Sequence, residues 1–201
     1  MPKTWTLAKV LPWLLIICGS IGLLMSGIIM IDKIRLLQDP AFVPGCDLNP
    51  VVACGSVMES AQADAFGVPN PIIGLAAFPV LIATGAALLA GARLKRWYWL
   101  GLQAGTIFGL GFVHWLFYQS TYNIGAICPY CVVVWIVTIT SFWYVLLYNI
   151  REKHIRLPKS LQGAGAFVQR HHLDMLLLWF IGIAALLLNQ FWYYYGPLLG
   201  F

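Results

Sequence analysis

Four of the five cysteines in this sequence fall into two pairs whose spacing suits thiol–disulfide chemistry. Cys128 and Cys131 form a C-x-x-C pair, and Cys46 and Cys54 are separated by seven residues. Electrons move between such pairs when a thiolate attacks a disulfide and a mixed disulfide forms. The two pairs together therefore predict a relay, in which a loop pair collects electrons from a bulky dithiol and passes them to a more buried pair.

The C-x-x-C pair is predicted to lie in the first turn of a helix. Pro129 suits that turn, because its missing N–H would have no partner there in any case. A helix N-terminus carries about half a positive charge and unpaired N–H groups, which together stabilise a thiolate. We therefore interpret Cys128 and Cys131 as a redox-active pair. An inert structural disulfide is the alternative for the same residues.

Two further interpretations concern the cysteines. Four of them could bind zinc, but structural zinc sites mostly use two short-gap pairs, and the gap from Cys46 to Cys54 fits poorly, so no metal is predicted. Cys18 lies inside an apolar run and is interpreted as a small packing residue. A membrane scaffold with structural disulfides is the non-enzymatic alternative for the whole chain.

The elements that must position these cysteines are membrane-spanning helices. The 201 residues are 61% hydrophobic and only 9% charged, with a mean hydropathy of +0.82, whereas soluble domains have about 25% charged residues. Roughly 20 residues of helix cross a bilayer core. The sequence predicts an all-α integral membrane protein with one membrane domain over residues 1–201 and five spans, at about 10–31, 72–92, 97–118, 128–150 and 173–195.

The basic residues predict how these spans are oriented. Loops that alternate along the chain hold ten of the twelve Lys and Arg on one side and only Lys33 and Arg35 on the other. Because Lys and Arg accumulate in cytoplasmic loops, we expect a plasma-membrane protein with a cytoplasmic N-terminus and an extracytoplasmic C-terminus and active site. The net charge of +5, divided in this way, is not a nucleic-acid signal. The ten residues are Lys3, Lys9, Arg93, Lys95, Arg96, Arg151, Lys153, Arg156, Lys159 and Arg170.

Small residues recur along the first three spans, which are therefore predicted to pack tightly together. The stripe on the third span is Gly101, Gly105 and Gly109. The fifth span has less of this pattern and is expected at the side. In the loop 32–71, an apolar face of Val57, Ala61 and Ala65 predicts a short helix over the mouth of the bundle.

The sequence resembles the vitamin K epoxide reductase family, in particular its bacterial members that support disulfide formation. The resemblance is carried by residues 46–50 (CDLNP), 54–58 (CGSVM), 66–74 (FGVPNPIIG) and 128–131 (CPYC). It implies a four-helix bundle around a quinone with a peripheral fifth helix, capped by an extracytoplasmic loop with a short half-helix.

The resemblance also implies roles for the cysteines. Cys46 and Cys54 would exchange with a partner protein, and Cys54 would form a mixed disulfide with Cys128. Cys131 would face the quinone.

Four further residues are predicted to bind the quinone. Asn70 matches the family asparagine that hydrogen-bonds a quinone oxygen, and Ser60 matches a hydroxyl residue six positions after the second loop cysteine. Trp135 stands where vertebrate members have a tyrosine that bonds the quinone, so an indole would have to replace a phenol. His114, near the outer end of the third span, either bonds a quinone carbonyl or makes an interhelical hydrogen bond.

These expectations predict a quinone-dependent oxidoreductase. It would oxidise extracytoplasmic protein dithiols and reduce menaquinone or a related vitamin K in the bilayer. Because the sequence ends at Phe201, after the fifth span, the partner is expected to be a separate thioredoxin-fold protein. The alternative within the family is a vitamin K epoxide reductase of a vitamin K cycle.

Overall fold

The computed structural model describes residues 7–39 and 41–198. Long apolar runs dominate this chain, and in lipid such runs form helices because every backbone N–H and C=O must be paired within the segment. The described residues form eight α-helices: α1 (Leu7–Gln38), α2 (Cys54–Glu59), α3 (Pro71–Leu89), α4 (Arg96–Tyr118), α5 (Pro129–Arg151), α6 (Lys159–Arg170), α7 (His172–Gln190) and α8 (Trp192–Leu198).

Five of these helices, α1, α3, α4, α5 and α7, are long and apolar enough to cross a membrane. The predicted all-α membrane fold with five spans is therefore confirmed. Its helix ends differ most from the predicted spans in two places. Helix α1 continues to Gln38, and α7 stops at Gln190, before the separate helix α8. Lys3, counted in the charge prediction, lies outside the described residues.

The two ends of the bundle differ in chemistry. We call the end that carries Cys46, Cys54, Cys128 and Cys131 the cysteine end, and the opposite end the basic end. Arg96 on α4 donates from its Nε to the carbonyl oxygen of His154, 2.8 Å away, in the loop that follows α5. This bond ties the two connections at the basic end together.

Helices α1 and α3 form the closest seam of the bundle, as their small residues predicted. A first side-chain carbon at Gly19 would lie 2.7 Å from Cγ1 of Ile82, and one at Gly85 would lie 2.5 Å from the carbonyl oxygen of Pro12. A larger residue at Gly85 would have to move the backbone of α1, and one at Gly19 would have to displace the Ile82 side chain. Helix α5 packs against both α1 and α4.

The prediction that the glycine stripe of α4 packs against the first two spans is wrong. A side-chain carbon at Gly101 or Gly105 would meet nothing within 4 Å, and one at Gly109 would meet Thr138 on α5 at 3.2 Å. Helix α4 packs against α5 instead, and its small residues leave open space. Small residues at every fourth position show which face of the helix lacks large side chains. They do not show whether a neighbouring helix or a cavity lies against that face.

Helix α7 lies at the side of the bundle, as expected. Leu176 is its one buried residue in the described part of the chain. Indole hydrogen bonds help to attach it: the indole N–H of Trp143 donates to the carbonyl oxygen of His172 at 3.0 Å, and that of Trp179 donates to His114 at 3.1 Å.

The loop 39–70 contains two short helical pieces rather than the single helix predicted. Helix α2 ends at Glu59, and Ser60 has an extended backbone (ψ 150°) before a 3₁₀ turn at Ala61–Asp64. Gly67 follows these pieces with a φ of +75°, in the left-handed region that glycine adopts without strain.

Candidate active site

Three of the four site cysteines meet in a buried cluster at the cysteine end. Cys46 and Cys54 are joined by a disulfide, with their Cα atoms 5.7 Å apart. The Sγ of Cys128 lies 3.0 Å from the Sγ of Cys54, and the sulfurs of all three residues lie within 4.8 Å of one another. Cys128 and Cys131 are free thiols. A thiol in contact with one sulfur of a disulfide is the arrangement that thiol–disulfide exchange requires.

A backbone bridge holds the loop cysteines against the start of α5. The segment around Val52 pairs with Ile127 as an isolated parallel bridge. Ile127 donates its N–H to the carbonyl oxygen of Val51 at 2.7 Å, and Ala53 donates to the carbonyl oxygen of Ile127 at 3.1 Å. Since Cys54 follows Ala53 and Cys128 follows Ile127, the bridge brings the two sulfurs together.

Two polar side chains of the loop fix the start of α2. Asp47 accepts the N–H of Gly55 at 2.9 Å, which pairs one of the otherwise unpaired N–H groups of a helix N-terminus. Asn49 accepts the N–H groups of Val51 and Val52 through its Oδ1 at 2.9 and 2.8 Å. The sequence CDLNP therefore encodes the turn that presents Cys54.

Cys128 sits at the N-cap of α5, and Pro129 occupies the first turn, as predicted. Its backbone is extended, with φ −92° and ψ 118°. The Cys131 thiol, one turn into the helix, hydrogen-bonds the Cys128 sulfur and lowers the pKa of Cys128 below its ordinary value, although burial acts in the opposite direction. Cys128 therefore ionises more readily than an ordinary cysteine, and its thiolate is a better leaving group in an exchange with Cys54.

Lys33, near the end of α1, fastens the far end of α2. Its Nζ donates to the carbonyl oxygen of Met58 at 2.6 Å and to Oδ2 of Asp64 at 3.0 Å. Only 8% of Lys33 is exposed, so it is a buried cation that depends on these partners. Sequence reasoning used Lys33 only as a loop charge. The sequence did not show that α1 continues beyond its apolar run, so Lys33 was not expected to lie on this helix.

Below the cluster lies an apolar cavity of about 480 Å³ between α1, α3, α4 and α5. Its volume is within the range of small-molecule sites. Val80 of α3 and Phe108 of α4 line it and are about half exposed, at 47% and 53%. The cavity is thus open sideways between α3 and α4. Gly101, Gly105 and Gly109 form part of its wall.

Three of the predicted quinone-site residues line this cavity: Cys131, Asn70 and Trp135. Asn70 precedes α3, donates from its Nδ2 to the carbonyl oxygen of Gln62 at 2.7 Å, and accepts the N–H of Ala65 at 3.1 Å. One amide hydrogen is left over. Trp135 is 4% exposed and packs edge-on against Phe117.

The other two predicted residues lie outside the cavity lining. Nδ1 of His114 lies 2.9 Å from the carbonyl oxygen of Leu110, and Nε2 accepts the indole N–H of Trp179. These contacts occupy both ring nitrogens and favour the interhelical alternative. The hydroxyl of Ser60 donates to the carbonyl oxygen of Val57 at 2.7 Å, at the end of α2. Quinone binding by His114 and Ser60 stays a prediction.

Three sulfurs of the same cluster, those of Cys46, Cys54 and Cys128, lie within 4.8 Å of one another, close enough to hold one metal ion. Metals bind thiolates, and two of the three sulfurs are held in a disulfide. In this redox state the chemistry of the donors suits exchange.

Five apolar helices and a buried cluster of redox cysteines define a membrane-spanning redox protein. The sequence model described as the vitamin K epoxide reductase family matches residues 13–146. The chain therefore belongs to the vitamin K epoxide reductase family, whose members are quinone-dependent oxidoreductases. No curated protein matches the chain in a sequence comparison.

Proposed function

We propose that this protein oxidises protein dithiols outside the cytoplasm and transfers their electrons to a quinone bound in the cavity. The observation that carries the proposal is the line of contacts from a disulfide to the cavity. Cys54 contacts Cys128 at 3.0 Å, Cys128 accepts a hydrogen bond from Cys131, and Cys131 lines the cavity.

The relay begins at the loop pair. A partner thiolate attacks the Cys46–Cys54 disulfide, and the second partner thiol resolves the mixed disulfide, so the partner is oxidised and the loop pair becomes a dithiol. The Cys54 thiolate then attacks Cys128 of an oxidised Cys128–Cys131 pair and releases Cys131.

The second exchange returns the loop pair to its disulfide. The Cys46 thiolate attacks Cys54, and Cys128 leaves as a thiolate that the neighbouring Cys131 stabilises. Two electrons have then moved from the loop pair to the helix pair. The oxidised loop pair and free Cys128 and Cys131 correspond to this stage.

The cavity suits a quinone by its walls and by its few polar groups. Its lining is mainly apolar, as a quinone ring and hydrocarbon tail require, and Asn70 has one amide hydrogen available for an oxygen. Trp135 on α5 also lines the cavity, and we expect its indole N–H to be a further donor. A quinone held beside Cys131 would accept two electrons and two protons as the Cys128–Cys131 disulfide re-forms.

Access of the partner requires the loop to move. Cys46 is 5% exposed and Cys54 is completely buried, so neither sulfur of the disulfide can be attacked in this arrangement. The proposed partner is a separate thioredoxin-fold protein that engages when the segment around Cys46 opens. The charge distribution supports an extracytoplasmic cysteine end and a cytoplasmic basic end.

The test uses the full chain in lipid nanodiscs with a reduced thioredoxin-fold protein and menadione. We expect quinone absorbance to fall in step with oxidation of the partner thiols, and alkylation to trap changing states of the four site cysteines. Fixed cysteine states during incubation with both reactants would favour the structural-scaffold alternative and contradict the proposal.

A further inference from the structure

The face of α1 that looks into the cavity carries one polar side chain in the middle of its apolar length. Ser26, Ile29 and Lys33 line the cavity at spacings of three and four residues, as one side of a helix does. Lys33 is paired at the mouth of the cavity. Ser26 lies two turns deeper, and only 2% of it is exposed.

The Ser26 hydroxyl has no hydrogen-bond partner among the described residues. A helical Ser or Thr in an apolar setting ordinarily bonds a carbonyl one turn back. Ser141 does so with Val137 at 2.7 Å, and Thr84 does so with Val80 at 2.6 Å. Ser26 makes no such bond although it lines the cavity, whereas Thr121, whose Oγ1 also lacks a partner, lies outside the cavity lining. Because a buried polar group without a partner is unfavourable, this hydroxyl points to a ligand.

The space around Ser26 directs its hydroxyl. Gly74 on α3 lies opposite, and a first side-chain carbon there would overlap the Ser26 oxygen. Gly74 therefore leaves the room that the hydroxyl occupies. The Ser26 oxygen is also not one of the completely enclosed unpaired oxygens, which in the described chain are Asp64 Oδ1 and Thr121 Oγ1. The open space that it meets is the cavity.

The separation between Ser26 and Asn70 suits the two oxygens of one quinone ring. Gly74 follows Asn70 by four residues along α3, a rise of about 6 Å. The two donors are thus about one helical turn apart on the α1–α3 side of the cavity. That spacing is comparable with the distance between the two carbonyl oxygens across the ring of a para-quinone.

We propose that Ser26 donates a hydrogen bond to the quinone oxygen opposite the one bound by Asn70. The inference rests on the proposed quinone site and adds a second anchor, which fixes the ring across the width of the cavity. A quinone offers only acceptors, so a hydroxyl donor matches it. A ring held at both oxygens keeps one edge towards Cys131.

The test compares Ser26→Thr with Ser26→Val, which have the same shape and differ only in the hydroxyl. Menadione binding to the full chain in nanodiscs is followed by quenching of tryptophan fluorescence. We expect Ser26→Thr to bind roughly three- to tenfold more tightly than Ser26→Val, the range for one net hydrogen bond. Ser20→Ala, on the exposed side of the same helix, should bind like the unchanged chain.

A second measurement separates this inference from the function on which it rests. Exchange between a reduced partner and the Cys46–Cys54 disulfide, without quinone, should be equal in Ser26→Thr and Ser26→Val. Equal menadione affinity in these two variants would overturn the role of Ser26, while turnover of the unchanged chain would still uphold the proposed function. Absence of quinone reduction by the unchanged chain would instead overturn the function itself.

Discussion

Two neighbouring regions of this molecule differ in packing. The exchange centre, formed by Cys46, Cys54 and Cys128, is tightly packed, and the cavity below it is open. In the exchange centre the sulfurs touch, exposure is 5% or less, and a backbone bridge fixes the approach. The cavity is roomy, open sideways and lined by glycines and apolar side chains.

The difference follows from what each region has to hold. Disulfide exchange needs contact between sulfur atoms, so a small displacement stops it. A lipid-soluble ring needs space and an entrance from the bilayer, so it tolerates small changes. We therefore expect all-or-none effects from changes in the exchange centre and graded effects from changes in the cavity.

The largest effect is expected at Cys54. Cys54→Ser should abolish electron transfer from a dithiol protein to menadione, because the one sulfur in contact with Cys128 is lost. Stopped-flow absorbance of the quinone measures this. Cys18→Ser, a buried cysteine away from the cluster, is the control and should keep most of the activity. Residual turnover above a few per cent in Cys54→Ser would show that a partner reaches Cys128 directly.

A large but graded effect is expected when the cavity is filled. Gly105→Leu places a side chain in open cavity space and should raise the KM for menadione by roughly tenfold or more, as overpacking costs about 1–3 kcal/mol. Gly111→Leu is the matched control, because it also meets open space but lies outside the cavity lining. Equal KM values in the two variants would contradict the cavity as the quinone site.

A smaller effect is expected at Asn70. Asn70→Ala removes one polar contact to the quinone, worth about 1 kcal/mol, and should raise the KM for menadione about fivefold. It also removes two loop hydrogen bonds. Asp39→Ala removes one hydrogen bond of the same loop, at a residue outside the cavity lining, and serves as the control for loop loosening. If both variants raise KM equally, Asn70 acts through the loop.

The smallest effect is a shift in the titration of Cys128. The hydrogen bond from Cys131 lowers the pKa of Cys128, so its thiolate persists to lower pH than that of an ordinary cysteine. In a chain with Cys18, Cys46 and Cys54 replaced by Ser, the ultraviolet thiolate absorbance should rise at lower pH than after the further change Cys131→Ala. An unchanged first midpoint after that change would remove Cys131 as the cause.

Sequence reasoning predicted the parts of this molecule that depend on local patterns. Hydropathy located the five spans, because a membrane helix is a continuous apolar run. The position of Pro129 predicted the start of α5 within one residue. Small residues correctly predicted the α1–α3 seam, where Gly19 and Gly85 face side chains and backbone.

Features that depend on distant partners were missed or wrong. The bridge from Val52 to Ile127 joins segments 75 residues apart and has no local signature. No helix was predicted where the amphipathic helix α6 lies, although Leu161 and Val168 repeat at seven residues on one face. For Gly105, the sequence could not distinguish a helix contact from a cavity.

The exchange between Cys54 and Cys128 is tested most directly by mapping disulfides in the Cys131→Ala variant. Without Cys131, Cys128 has no partner in its own pair, and its sulfur lies next to Cys54. We predict a Cys54–Cys128 disulfide with Cys46 free, identified by mass spectrometry of non-reduced peptides. Cys46→Ala in the same background should retain that bridge. A Cys46–Cys128 disulfide, or a persistent Cys46–Cys54 disulfide with free Cys128 under oxidising conditions, would contradict the relay.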